Sequence, residues 1–87
     1  FPLKMKGYEN MAEKGAFNAK KAIYTEEAIG RILRTAGQFG IRVVPEIDMP
    51  GHTSAWFKSY PDLEGNAKGA IDPTSEENYE WIERTLV

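Results

Sequence analysis

The sequence predicts an α/β fold assembled from parallel strand–helix–strand units, and three observations carry that prediction. Tyr24 to Gly40 has the spacing of an amphipathic helix. A β-branched run from Ile41 to Asp48 follows Gly40 at once. Two long connections, before and after this pair, each come directly after a strand-like segment. A helix that feeds an apolar strand through a tight glycine turn is the second half of a parallel βαβ crossover.

Length and composition set the outer bounds. With 87 residues the chain forms one small domain at most. Apolar content of 41% and charged content of 28% match ordinary globular protein rather than a disordered or membrane chain. No apolar run approaches the roughly 18 residues of a membrane span, and no signal-peptide pattern is present. The chain opens on Phe1 rather than Met, which fits a mature terminus or an excised piece of a longer protein. The absence of cysteine excludes disulfides and thiolate metal sites. A net charge of −2 argues against general nucleic-acid affinity. Five Lys against two Glu make residues 1–21 basic, and seven acids against two bases make residues 62–87 acidic, as solvated faces of different elements do.

In chain order, Phe1 to Met5 reads as a strand end. A long loop to about Ile23 is expected next, because Gly7, Gly15 and Asn18 interrupt any period. Thr25 is the expected N-cap of the first helix, with Glu26 and Glu27 in the first turn where the helix dipole favours anions. Ala28, Ile29, Ile32, Leu33 and Ala36 form its apolar stripe. Gly40 suits the left-handed position that ends it, and Gly30 and Gly37 would mark close packing against a sheet. Ile41, Val43, Val44 and Ile47 give a strand suited to burial on both faces, with Pro45 at its end, an edge or a bulge. Ser54 to Tyr60 fits a short helical turn, and 65–69 is turn-rich. The last helix takes Asp72 before Pro73 as cap, with Thr74 and Glu77 as a capping box one turn later. Tyr79, Ile82 and Leu86 fall on one of its faces.

Loops after the carboxyl ends of parallel strands are where α/β sheets and barrels place their chemistry. "VVPEIDMPGH", Val43 to His52, stands at such a point and holds the only histidine. In a strand Glu46 and Asp48 would share a face, roughly 6.6 Å apart along the chain. Pro50 and Gly51 would then turn the chain so that His52 folds back over the strand end. Four readings fit these residues. They form an acid–base carboxylate pair of a glycosidase; or Glu46, Asp48 and His52 form a metal site; or they support a catalytic acid elsewhere, tuned by an imidazole that titrates near neutrality; or they make a polar network with no catalytic role. Trp56, four residues on, is of a type that stacks on sugars or packs its loop against the barrel.

"YTEEAIGRILRTAGQFGIRVVPEIDMPGH", Tyr24 to His52, resembles glycoside hydrolase family 20, the β-N-acetylhexosaminidases. "FPL" at Phe1, "YPDL" at Tyr60 and "IDPTSEENYEWI" at Ile71 are similar to the same family in the same order, and residues 6–22 match weakly. The resemblance implies a (β/α)8 TIM barrel, of which residues 1–87 are a fragment of about two βα units, from the end of strand 2 through helix 3. It implies a retaining exo-β-N-acetylhexosaminidase that removes terminal β-linked N-acetylglucosamine or N-acetylgalactosamine. There the substrate's own acetamido oxygen attacks the anomeric carbon. It implies no metal or organic cofactor, and as partners a terminal N-acetylhexosamine and the remainder of the barrel, with no nucleic acid or membrane. Lysosomal, periplasmic and secreted locations all fit.

In that family the catalytic Asp–Glu pair follows the next strand, in a His-x-Gly-Gly-Asp-Glu type motif. The present chain has no Gly-Gly and no Asp-Glu dipeptide, so the isolated chain is expected to be inactive. The resemblance assigns His52 and Asp48 to the catalytic site as a supporting network. Glu46 and Trp56 are its expected substrate-binding residues. The alternatives are a metal-dependent α/β-barrel hydrolase and a non-catalytic carbohydrate-binding module.

Overall fold

The computed structural model describes all 87 residues, Phe1 to Val87. Its regular structure is helical: α1 Glu9–Gly15, α2 Glu26–Gln38 and α3 Glu76–Leu86, with 3-10 turns at Trp56–Lys58 and Pro61–Leu63. The chain divides into two compact units, Phe1–Ile47 and Asp48–Val87.

In the first unit the strand end expected at Phe1–Met5 is reduced to a single parallel bridge between Leu3 and Tyr24. Lys4 N–H donates to Tyr24 O at 3.0 Å, and Tyr24 N–H to Pro2 O at 2.7 Å. The long loop expected to about Ile23 instead contains α1. That helix buries Met11 and Ala12 completely and carries Glu9 in its first turn and Lys14 in its last, each at the dipole end that favours its charge.

Helix α2 follows its sequence closely at both ends. The Thr25 hydroxyl accepts from Ala28 N–H at 3.2 Å, satisfying one of the orphan donors of the first turn. At the other end Gly40 stands at φ +66°. Gly40 N–H donates to Gly37 O at 3.2 Å and Ile41 N–H to Ala36 O at 2.9 Å, the paired bonds of a Schellman stop. The apolar stripe is only partly covered: Ala28, Ile29 and Ala36 are half-buried, α2 buries no residue fully, and Ile32 and Leu33 remain 40% and 51% exposed. The close packing expected at Gly30 and Gly37 is absent. A Cβ at Gly37 would meet nothing within 4 Å, and one at Gly30 only the Arg34 guanidinium at 3.4 Å.

The run from Ile41 forms no strand. Only two single bridges exist in the whole structure, and Ile41, Val43 and Val44 are exposed. A parallel strand takes its hydrogen bonds from neighbours a crossover or more away in sequence, and no such neighbour is paired here. The structure therefore shows the helical half of the expected α/β pattern and not its sheet, so the two-unit partial barrel is not displayed.

The second unit is organised around a small core of Trp56, Leu63 and Ile71, with Thr53 and Asn78 as its buried polar residues. The expected short helical turn is the 3-10 turn at Trp56–Lys58. An antiparallel bridge joins Glu64 to Ile71, through Gly65 N–H to Ala70 O at 3.0 Å and Asp72 N–H to Leu63 O at 2.9 Å. Ser75, not Asp72 or Thr74, caps α3, its hydroxyl accepting from Asn78 N–H at 3.4 Å. Asp72 accepts from both the backbone N–H and the hydroxyl of Thr74, at 2.9 and 2.7 Å. It thereby closes a local turn ahead of the helix rather than starting it.

Candidate functional site

The stretch from Asp48 to Thr53 carries the clearest chemical geometry in the second unit. His52 Nδ1 lies 2.7 Å from Asp48 Oδ2. A carboxylate can only accept, so Nδ1 carries the proton and Nε2 of the neutral ring is left as an acceptor. When the ring is protonated, both nitrogens donate. The side chains are 88% and 58% exposed, and an ion pair so open to water contributes at most about 1 kcal/mol to stability. Its effect is to fix the tautomer and orientation of the imidazole.

The sequence expectation assigned the turn to Pro50 and Gly51. The Met49–Pro50 peptide is cis, and the residue that takes the left-handed conformation is His52 itself, at φ +58°. That conformation brings the imidazole back to a carboxylate four residues earlier. Two bonds hold the turn from below: Ile71 N–H and the Thr53 hydroxyl both donate to Pro50 O at 2.9 Å. Sequence reasoning passed over Thr53. Its only signal is position, directly after the histidine, where a short β-branched hydroxyl reaches a carbonyl three residues back.

Trp56 is 3% exposed, and its ring lies 6.0 Å from that of Trp81, which in turn lies 5.1 Å from Tyr60. Tilted pairs at these separations are favourable aromatic contacts. Trp56 is thus placed in the packing of the loop, the second of the two roles its residue type offered. Glu46 is exposed at the end of the first unit. Neither unit holds a group of three or more His, Cys, Asp or Glu side chains placed to bind a metal ion. Pro50 also lines a cleft of about 210 Å³ with Met49, Ile71, Pro73, Tyr79 and Ile82. That lining is mostly apolar, and Asp72, Asn78 and the Tyr79 hydroxyl are its polar groups.

The sequence model of glycosyl hydrolase family 20, catalytic domain, matches residues 1–86. The chain belongs to this family. The catalytic domain of glycosyl hydrolase family 20 is a TIM barrel. Among curated proteins, β-hexosaminidase subunit A2 of Dictyostelium discoideum is 34% identical over 95% of this chain and 16% of its own length. Subunit B1 of the same organism is 46% identical over 72% of this chain and 11% of its own length. β-Hexosaminidase subunit alpha of Bos taurus is 29% identical over 94% of this chain and 17% of its own length. The chain thus spans less than a fifth of these family 20 relatives. No solved structure matches it.

Proposed function

We propose that this chain is part of the catalytic barrel of a retaining exo-β-N-acetylhexosaminidase, covering the end of the second strand through the third helix. The enzyme would remove terminal β-linked N-acetylglucosamine or N-acetylgalactosamine from oligosaccharides or glycoconjugates by substrate-assisted catalysis. The observation that carries the reading is the 2.7 Å bond between His52 Nδ1 and Asp48 Oδ2, inside a segment matched by the family 20 catalytic domain.

The residues of this chain do not attack the sugar in this reading. Asp48 holds the Nδ1 proton of His52, so that the ring presents Nε2 in a defined state to a catalytic acid outside residues 1–87. A fixed imidazole beside a carboxylic acid adjusts how readily that acid gives up and recovers its proton. In the complete barrel Glu46 would stand at the strand end as a further polar group toward the substrate. Trp56 supports the loop from inside rather than stacking on the sugar.

The test is turnover of 4-nitrophenyl β-N-acetylglucosaminide and galactosaminide by the full-length protein. His52→Ala lowers kcat by about 10- to 100-fold, the range of a misplaced catalytic geometry, and moves the pH profile. An unchanged rate and profile would remove His52 from the network. Absence of hydrolysis by the wild-type protein would remove the enzyme reading itself.

A further inference from the structure

We infer that Thr53 is a positioning residue, whose buried hydroxyl fixes the left-handed turn that presents His52 to Asp48, with residues 64–71 as the brace behind it. This rests on the role proposed above for His52 and Asp48, and extends it to groups that hydrogen-bond neither the ring nor the carboxylate.

His52 adopts φ +58° with a side chain that is 88% exposed. Left-handed backbone is unfavourable for a residue with a Cβ and persists where the surroundings enforce it. The exposed imidazole cannot enforce it, and an exposed ion pair is too weak to do so alone. The restraint therefore has to come from the backbone on either side, and Thr53 supplies it. Thr53 is fully buried. Its hydroxyl lies 2.9 Å from Pro50 O and 3.3 Å from Gly69 O. A hydroxyl has one proton, so it donates to one carbonyl at a time. The shorter bond closes the loop around His52 from the residue after it to the residue two before it.

The same two carbonyls tie the turn to the brace. Ile71 N–H donates to Pro50 O at 2.9 Å, and Thr53 N–H to Gly69 O at 3.4 Å. Gly69 sits at φ +81°, and its own N–H is held by Glu64 Oε1 at 3.0 Å. A Cβ placed on Gly69 would come within 2.9 Å of the Ser54 hydroxyl, one residue from Thr53. Gly69 is therefore a second, independent handle on the same turn.

The experiment uses the full-length protein with Thr53→Val, which keeps the branched shape and removes the donor, and Thr53→Ser, which keeps the donor. Thr53→Val is expected to lower kcat by about 10- to 100-fold with KM changed less than about 3-fold, since it displaces a group without removing a substrate contact. It shifts the pH profile in the same sense as His52→Ala, and the His52 Nδ1 proton resonance moves or broadens in the NMR spectrum. Thr53→Ser restores all three. If Thr53→Val does not fold, Gly69→Ala is expected to give the same three changes. Wild-type kcat, pH profile and His52 resonance in Thr53→Val, or in Gly69→Ala where that variant decides, overturn the inference while leaving the role of His52 standing. If His52→Ala is itself without effect, the proposed role of the pair fails. The His52 resonance in Thr53→Val then still decides whether Thr53 holds the turn.

Discussion

Asn78 is the residue whose replacement should most damage the second unit. It is 6% exposed, and its side-chain amide donates to Leu63 O and Asp72 O, both at 3.2 Å. One side chain on α3 thus ties both sides of the Glu64–Ile71 bridge to the helix. Asn78→Asp keeps the shape and replaces the donating Nδ2 with an oxygen that faces both carbonyl oxygens. Leu63 O retains the Asp72 N–H at 2.9 Å, whereas Asp72 O loses its side-chain donor. Two lost bonds at about 1 kcal/mol each, with the penalty for unsatisfied buried groups, give about 2–4 kcal/mol. For a domain of barrel size this lowers Tm by about 5–15 °C. Acid should relieve the loss, because the introduced carboxyl, once protonated, can donate to one carbonyl. Burial and the facing carbonyls raise the folded-state pKa of this carboxyl above its unfolded value of about 3.9. Its contribution is then fully present below that unfolded value and is lost as pH rises through the folded one. Thermal unfolding of the full-length variant, followed by circular dichroism, checks both points. A Tm within about 2 °C of wild type at neutral pH, or a deficit that does not shrink on acidification, refutes the reasoning.

Three further outcomes are expected. Asp72 is held below the usual carboxylate range by the Thr74 backbone N–H and then by the Thr74 hydroxyl. Thr74→Val should raise its pKa part-way toward normal in a carboxyl ¹³C titration, and an unmoved pKa refutes the hydroxyl's share. In the wild type this depressed pKa gives stability that is present above the unfolded value and lost as pH falls through the folded one. His52→Gly should reduce turnover as His52→Ala does while leaving the full-length protein up to about 1 kcal/mol more stable than His52→Ala, which lacks the same ion pair, because glycine accepts φ +58° without strain; a Tm below that of His52→Ala would mean the turn is not strained. The isolated 87-residue chain should show no cooperative melting. Ile32, Leu33, Ile41, Val43 and Val44 are 40–71% exposed, and at about 1 kcal/mol each their unrealised burial is as large as the net stability of a small domain. A sharp calorimetric transition would contradict this.

What could be read from the sequence divides along the range of the interaction concerned. The two ends of α2 were legible because Thr25 and Gly40 act within four residues of themselves. The histidine turn was legible in outline for the same reason, since Asp48 and His52 are four apart. Helix α1 was missed because a seven-residue helix between glycines offers only Met11 and Ala12 as an apolar signal. The cap of α3 was misplaced because Asp72, Thr74 and Ser75 all have capping side chains, and Asp72 is engaged by Thr74. The strand at Ile41 was legible as a composition and not as a structure, because a ladder depends on partners outside the local sequence. Thr53 and Asn78 gave no warning. Their importance comes from bonds to Gly69 and Leu63, fifteen or more residues away.

Both tryptophans of the chain are in the second unit, with ring centroids 6.0 Å apart and Tyr60 beside one of them. In the isolated chain, indole emission and near-ultraviolet dichroism therefore report on that half alone. The first half carries only Tyr8 and Tyr24 as weaker chromophores, so its ordering is optically almost silent. A tryptophan signal that sharpened when the rest of the barrel was supplied would report the environment of the His52 loop, while the docking of α2 would need a probe placed on that helix.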